Sequence, residues 1–492
     1  MDSQLYPKNT TVNPNLRFHW TSLVEKTKKS LRLTIAFLVL SAAISIYLFP
    51  SQCSVGQQNP QKQSPINVEF SPLVRNWGAY APYYPLDEYT NPPRDCEITQ
   101  VNILQRHGAR YPTVGPAAMM ASAVAKLQNV KTYHDSSLDF IRNYTFDLGT
   151  DELVAFGATQ SSIAGAEIFH RYSQLLAGNN PEDVPFVRAS SSSRVVMSAR
   201  NWTYGFSVAS DFQLNPVLSV ILDAKENDTL HNDCPAIGSP DNQTDTWIDI
   251  YVPPIAERIN TFAPGANLSA NEVYYLMALC PFHSVATEDI SDWCGLFSEK
   301  EWTEFEYEMD LDKYYGTGYG QALGPVEGVG YINELIARLT STPVNDTTQT
   351  NTTLDASPIT FPLNRTIYAD FSHDNQLIAI YSAMGLFKQP RPLDPTNPHS
   401  NGPNWTWVTS RLAPFGGRMV IEKMRCERTE LEQFHQDSNS TEFIRILVND
   451  AVQPLEFCAE VTMDGLCALD KFVESQWYST SGGAGDWEKC FE

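Results

Sequence analysis

Three times along this chain an apolar run of strand character passes through a short polar cluster towards a helical stretch, and each cluster carries a cation or a histidine. Residues 96–105 (CEITQVNILQ) set Ile98, Val101, Ile103 and Leu104 in a strand that runs into Arg106-His107-Gly108, and the Ala/Met-rich stretch 116–127 predicts a helix. Residues 186–190 (FVRAS) lead through serines to Arg194. Residues 366–371 (TIYADF) meet Ser372-His373-Asp374-Asn375 and then an apolar helix over 376–384. Alternating strands and helices predict an α/β fold. In an open α/β sheet ligands gather at the carboxyl ends of strands. Three such ends, bearing Arg106/His107/Arg110, Arg194 and His373/Asp374, are therefore able to converge on one crevice.

With 492 residues, 42% of them hydrophobic, the chain has material for a large core. Asp and Glu outnumber Lys and Arg by 57 to 34, a formal charge of −23. That balance argues against nucleic acid as a partner, since a phosphate backbone is met by a basic face. A small anionic substrate remains compatible, because a few arginines make a local positive pocket in an acidic protein.

The amino terminus reads as an address. Residues 33–49 (LTIAFLVLSAAISIYLF) carry no charge and follow Lys26, Lys28, Lys29 and Arg32. A run of roughly 17–25 such residues spans a bilayer, with the basic flank cytoplasmic. A cleaved signal peptide, and hence secretion, is the alternative. The long polar lead and the Ile-Tyr-Leu-Phe-Pro exit, which lacks small residues, favour an uncleaved anchor. The expected layout is a cytosolic tail (1–30), a signal-anchor (31–49), a Gln/Pro/Ser-rich stalk (50–75) and one large domain (76–492) outside the cytosol. Sequons at Asn143, Asn201, Asn227, Asn242, Asn267, Asn345, Asn351, Asn364, Asn404 and Asn439 agree with that placement. So do nine cysteines without a Cys-x-x-Cys zinc pattern. An odd count leaves one thiol over, and Cys53 in the stalk is the natural candidate. The Thr/Asn-rich stretch 341–360 predicts a solvated loop.

The string Arg106-His107-Gly108-Ala109-Arg110-Tyr111-Pro112 carries the chemistry. Guanidiniums offer planar paired donors to a phosphate and stay charged at any working pH. A histidine between them is a competent nucleophile for phosphorus if its ring is neutral and oriented through its other nitrogen. Neighbouring cations favour the neutral ring even in acid. Gly108 lets the backbone approach a ligand closely.

This string, with Ser372-His373-Asp374-Asn375, resembles the histidine acid phosphatases, in particular their fungal phytase-like branch. The likeness extends from Trp77-Gly78-Ala79-Tyr80-Ala81-Pro82 through Phe186–Ser190 and Arg194-Val195. It continues through Leu323-Gly324-Pro325, Gly328–Tyr331, Asn333–Leu339 and Val448-Asn449-Asp450 to Gly485-Asp486-Trp487. The resemblance implies a phosphoglycerate-mutase-like α/β fold, a central mixed sheet flanked by helices, with a mostly helical insertion over roughly 113–360. It implies hydrolysis of phosphate monoesters, phytate first and broad-specificity acid phosphatase as the alternative. His107 would attack phosphorus, and Asp374 would protonate the leaving alkoxide. Arg106, Arg110, Arg194 and His373 would hold the phosphoryl oxygens, taking the part that metal ions take elsewhere, so no metal or cofactor is expected. Arg188 competes with Arg194 for the phosphate but sits within a strand. Glu334 is expected to be structural, and Asn375 either touches substrate or packs at a helix start.

The same resemblance implies the disulfides Cys96–Cys426, Cys234–Cys490, Cys280–Cys294 and Cys458–Cys467. One departure bears on specificity. Where the fungal phytases carry lysines after the first motif, this chain has the uncharged Thr113–Met120, which argues for a pocket less selective for phytate. A mutase-type phosphotransferase is disfavoured by the His373-Asp374 pair. An inactive surface glycoprotein is disfavoured because every expected reactive residue is present.

Overall fold

The computed structural model describes residues 72–176, 184–223, 225–402, 405–427, 441–458 and 465–492. The expected tail, anchor and most of the stalk, with Cys53, lie outside the described residues, as do the sequons at Asn404 and Asn439.

Among the described residues eight strands form one mixed sheet: β1 (Cys96–Arg106), β2 (Phe186–Ser190), β3 (Leu218–Leu222), β4 (Ile367–Ser372), β5 (Arg418–Cys426), β6 (Glu442–Val448), β7 (Ala451–Val452) and β8 (Cys467–Ala468). Their order is β3-β2-β4-β1-β5-β6-β7, with β8 also beside β6. β1, β4, β2 and β3 run parallel, and β5 and β6 continue antiparallel. β2 and β4 are buried throughout, as parallel strands covered on both faces must be. Their residues are apolar apart from Arg188 and Ser190 on β2 and Asp370 and Ser372 on β4, which are buried with them.

The long helices are α1 (Val114–Gln128), α2 (Ala155–Tyr172), α3 (Ser193–Ala209), α4 (Asp241–Phe262), α5 (Ala270–Thr287), α6 (Glu299–Gly316), α7 (Val329–Thr340) and α8 (Asp374–Met384). Ala164 and Ile168 of α2 and Trp202 and Phe206 of α3 share a core with Val101, Ile103, Val187, Phe371 and Val420 of the sheet. Ser269 with Glu272 and Ser298 with Glu301 close reciprocal capping boxes at the starts of α5 and α6, satisfying donors that a helix start leaves without partners.

The 113–360 span does not stay apart from the sheet, because it contributes β2 and β3. Its helices that pack on one another away from the strands are α1, α4, α5 and α6. Residues 341–360 differ from the expected solvated loop. Thr348, Gln349 and Thr350 are buried, and a short helix covers Thr352–Asp355. Asp346 makes this possible, accepting hydrogen bonds from the hydroxyls of Thr348 and Thr350 and from Asn333. Hydroxyls satisfied internally lose their need for water.

Among the described residues four disulfides close: Cys96–Cys426, Cys234–Cys490, Cys280–Cys294 and Cys458–Cys467. They are the pairs that the family resemblance implies. Cys96 and Cys426 lie directly opposite each other on β1 and β5, so that bridge pins the register of the central antiparallel pair.

Candidate active site

The register of β1 against β4 sets Arg106 opposite Ser372, and the His107 N–H donates to the Ser372 carbonyl at 3.0 Å. The residue after each strand end is a histidine. Their rings meet edge to face with centroids 5.5 Å apart. β2, parallel to β4, ends at Ser190, and the chain turns into α3 with Arg194 in its first turn. Three strand ends therefore deliver side chains to one place, because the sheet is parallel where it carries them.

His107 is buried, and its Nδ1 lies 2.8 Å from the Gly108 carbonyl. A carbonyl only accepts, so Nδ1 carries the proton and Nε2 keeps its lone pair. Burial, reinforced by Arg106, His373, Arg110 and Arg194, holds the ring well below the ordinary histidine range. It is neutral in mild acid. The loop holding it is packed against the start of α2. A Cβ on Gly108 would collide with the Gly157 carbonyl, and one on Gly157 with the Ala109 backbone. Both positions must lack a side chain for this approach.

The cations are held from behind. Arg106 donates through Nη1 to the carbonyls of Ala79 and Ala413 and lies over the Phe415 ring at 4.6 Å. Its Nη2 stands 3.3 Å from the Asp374 carboxylate, and burial draws this guanidinium down to about 10. Arg110 donates to its neighbour's carbonyl and lies 5.7 Å from the Phe282 ring centroid. The Nε atoms of Arg106, Arg110 and Arg194 are buried without a hydrogen-bond partner among the described residues. So is Nε2 of His373. Buried donors of this kind are costly, and an oxyanion is the group that satisfies several of them at once.

His373 precedes α8 at its N-cap position, and Asp374 is the first residue of that helix. The ring of His373 is pushed down to about 3, by burial first and then by Arg194. Burial alone would raise Asp374. Arg106, Lys313 and His107 together hold it well below the usual carboxylate range instead. Lys313 Nζ is 3.0 Å from Asp374, 2.9 Å from Asp312 and 2.7 Å from Asn375 Oδ1.

Arg188 is elsewhere engaged. It donates to both oxygens of Glu334, at 3.1 and 2.6 Å, and to Asp370 at 2.8 Å, and Arg338 donates to Asp370 at 2.6 Å. The pair of guanidiniums pulls Asp370 down to about 2 against its burial. This network fastens β2, β4 and α7 under the site, and Glu334 is structural. Asn375 receives Lys313.

Reading the sequence overlooked Lys313. Lys313 follows acidic residues on a helix, where a lysine reads as a surface ion-pair partner, yet it is buried. No local signal points to its contact with Asp374, 61 residues on.

Comparison with known proteins gives the family. A family model described as the histidine phosphatase superfamily (branch 2) matches residues 97–449. Phytase A of Aspergillus oryzae is 37% identical over 480 residues, covering 92% of this chain and 99% of that protein. A Phytase A of Aspergillus terreus is 40% identical over 443 residues, covering 86% and 91%. Among solved structures, the phytase from D. castellii superposes with a TM-score of 0.69 at 21% identity, covering 89% of this chain and 92% of that one. A Bifidobacterium longum multiple inositol polyphosphate phosphatase bound to inositol hexasulfate superposes with a TM-score of 0.59 at 14% identity, covering 82% and 97%. These last two likenesses concern the fold.

Proposed function

Because this chain belongs to branch 2 of the histidine phosphatase superfamily, we propose that it is a phytase working through a phosphohistidine on His107. It hydrolyses phosphate monoesters. The observation that carries the mechanism is the neutral His107 ring, its Nε2 lone pair available, set among guanidiniums whose buried donors lack protein partners.

A phosphate monoester enters with its oxygens on Arg106, Arg110, Arg194 and His373. Nε2 of His107 forms a bond to phosphorus as the ester P–O bond breaks in line. Asp374 gives a proton to the departing alkoxide, which is a poor leaving group unless protonated. Water then attacks phosphorus, the P–N bond breaks, and the Asp374 carboxylate takes the water's proton. The guanidiniums stabilise the charge spread over the equatorial oxygens in both transfers.

Asp374 is an anion in the empty site. Substrate changes that. A bound phosphate opposes the cations that depress the carboxyl, and a monoanionic ester brings its own proton. The acid role therefore belongs to the substrate complex at acidic pH.

A second reading, a broad-specificity acid phosphatase, is favoured by the segment that follows the first motif. Thr113–Met120 carries no cation, Val114 projects into solvent, and Lys313 is tied to Asp312 and Asp374. Turnover of phytate against small sugar and aryl phosphates separates the two. Phytate hydrolysis in acid with chelator present tests the main reading. Wild type should turn over and His107→Ala should not; an active His107→Ala protein would end it.

We further propose a type II membrane protein with its catalytic domain outside the cytosol, or a secreted form if the apolar run is cleaved. The charge-free run after Lys26–Arg32 supports this. So do the sequon asparagines 143, 227, 242, 267, 345 and 364, all exposed. A mass decrease on enzymatic deglycosylation is the check.

A further inference from the structure

A third histidine stands beside the phosphate site. The ring of His231 meets the ring of His373 edge to face, with centroids 5.8 Å apart. His373 in turn meets His107 at 5.5 Å, so the three imidazoles form a chain from the nucleophile outward.

The backbone of His231 is fixed on every side. Its N–H donates to the Asp228 carbonyl at 3.2 Å, and its carbonyl accepts from Gln349 at 2.7 Å. The preceding carbonyl, of Leu230, accepts from the Ser372 hydroxyl at 2.6 Å, which ties this loop to the end of β4. Three residues on, Cys234 is bridged to Cys490. The ring itself has no hydrogen bond to any described residue. It is half-buried, so it reaches solvent while resting on a phosphate-site side chain.

Resting on the proposed phosphatase site, we infer that His231 is an anion-affinity residue, whose protonation adds a positive charge beside His373 and tightens binding of the phosphate group in acid. An imidazole is the side chain whose charge ordinarily changes between about pH 5 and 8. The charged and titratable groups around it are Asp228 and Asp233 on its own loop, Glu327 reached through Asn232, and His373 at the start of α8, on which Asp374 and, from α3, Arg194 also act. Asp228 is engaged by the Ser190 hydroxyl, and Glu327 by Asn232 and the Cys234 N–H. Asp374 faces Arg106 and Lys313. His373, being held neutral, does not repel a proton on His231. Asp228, Glu327 and Asp374 thus each have another partner; Asp233 on its own loop has His231 as the charge acting on it, and the dianionic phosphate on His373 is the second anion to respond to a charge on His231.

A unit charge a few ångströms beyond His373, in a partly solvated site, changes affinity for a dianion by about three- to tenfold. Sulfate is the probe, because its charge is constant from about pH 4.5 to about 7.5 while phosphate esters titrate. Calorimetric dissociation constants would be measured on the full chain as wild type, His231→Gln and His231→Lys. Wild-type binding should weaken about three- to tenfold as pH rises across that range. His231→Gln should bind as weakly in acid as wild type does near neutrality, and His231→Lys should bind tightly throughout. A wild-type pH dependence retained in His231→Gln, or an affinity of His231→Lys that falls with pH as wild type does, would overturn the inference. Absence of sulfate binding to wild type in acid would do the same. Failure of the phosphatase reading is a separate result: wild type would turn over no phosphate monoester, whatever sulfate binding shows.

Discussion

Lys313 Nζ lies 3.0 Å from the carboxylate of Asp374, joining the last turn of α6 to the first residue of the helix that follows β4. With Arg106 on the other side, it keeps the proposed proton donor ionised until substrate arrives.

Replacing Lys313 with Met removes one of those cations. An opposite charge within about 4–6 Å lowers a carboxyl by about 1–3 units, so its loss raises the proton affinity of Asp374. The alkaline limb of the kcat profile should move to higher pH by about one unit, with His107 still phosphorylated. An unmoved limb alongside lower activity would make Lys313 merely structural.

Asp374→Asn leaves the nucleophile and the cations but removes the transferable proton. Hydrolysis of alkyl phosphates should fall by about 10²–10⁴-fold. Activated aryl phosphates, whose leaving groups depart unprotonated, should lose far less. Parallel kcat measurements on the two ester classes give the answer, and equal losses would remove Asp374 from the donor role.

Arg188 and Arg194 should fail in different ways. Arg188→Ala strips a buried cation from Asp370 and Glu334, and breaking such a network costs about 3–5 kcal/mol. Its main effect should be a lower melting temperature. Arg194→Ala should melt near wild type but lose kcat/KM, because its guanidinium serves the ligand. Thermal melts read beside steady-state kinetics decide this.

Stability should depend on pH with a definite sign. Burial pushes Glu306 and Glu327 up to about 7 and Glu308 and Asp355 up to about 8. Between their ordinary range and those values the folded chain holds protons that the unfolded chain has released. Their contribution is complete below the unfolded pKa and is lost as pH rises. His107 and His373, held low by burial, act oppositely, but only below about pH 6.5, where an unfolded histidine takes a proton. From about pH 6.5 to about 8 the carboxyls act unopposed. Melting temperature should fall across that interval, as calorimetry at fixed ionic strength would detect. A flat or rising profile would contradict the assignment.

Much of this was legible in sequence where local pattern and position coincide. β2 begins and ends at Phe186 and Ser190 as its strand-like run predicts, and β1 ends at Arg106 with His107 directly after it, because a strand end is where a chain turns polar. That the three strand ends face one another was not legible. It depends on β1, β4 and β2 being parallel neighbours, a long-range pairing. Lys313 and His231 escaped for the same reason, since their partners lie 61 and 142 residues away. Residues 341–360 misled through composition, because Asp346 satisfies the threonines that suggested water.

The most direct test is to quench turnover of a phosphate-labelled ester rapidly under alkaline conditions, where a phosphoramidate survives, and to map the label by peptide mass spectrometry. Label on His107, absent from His107→Ala and retained longer when water attack is slowed in Asp374→Asn, is the expected result. Label on a serine, an aspartate or another histidine would refute the mechanism.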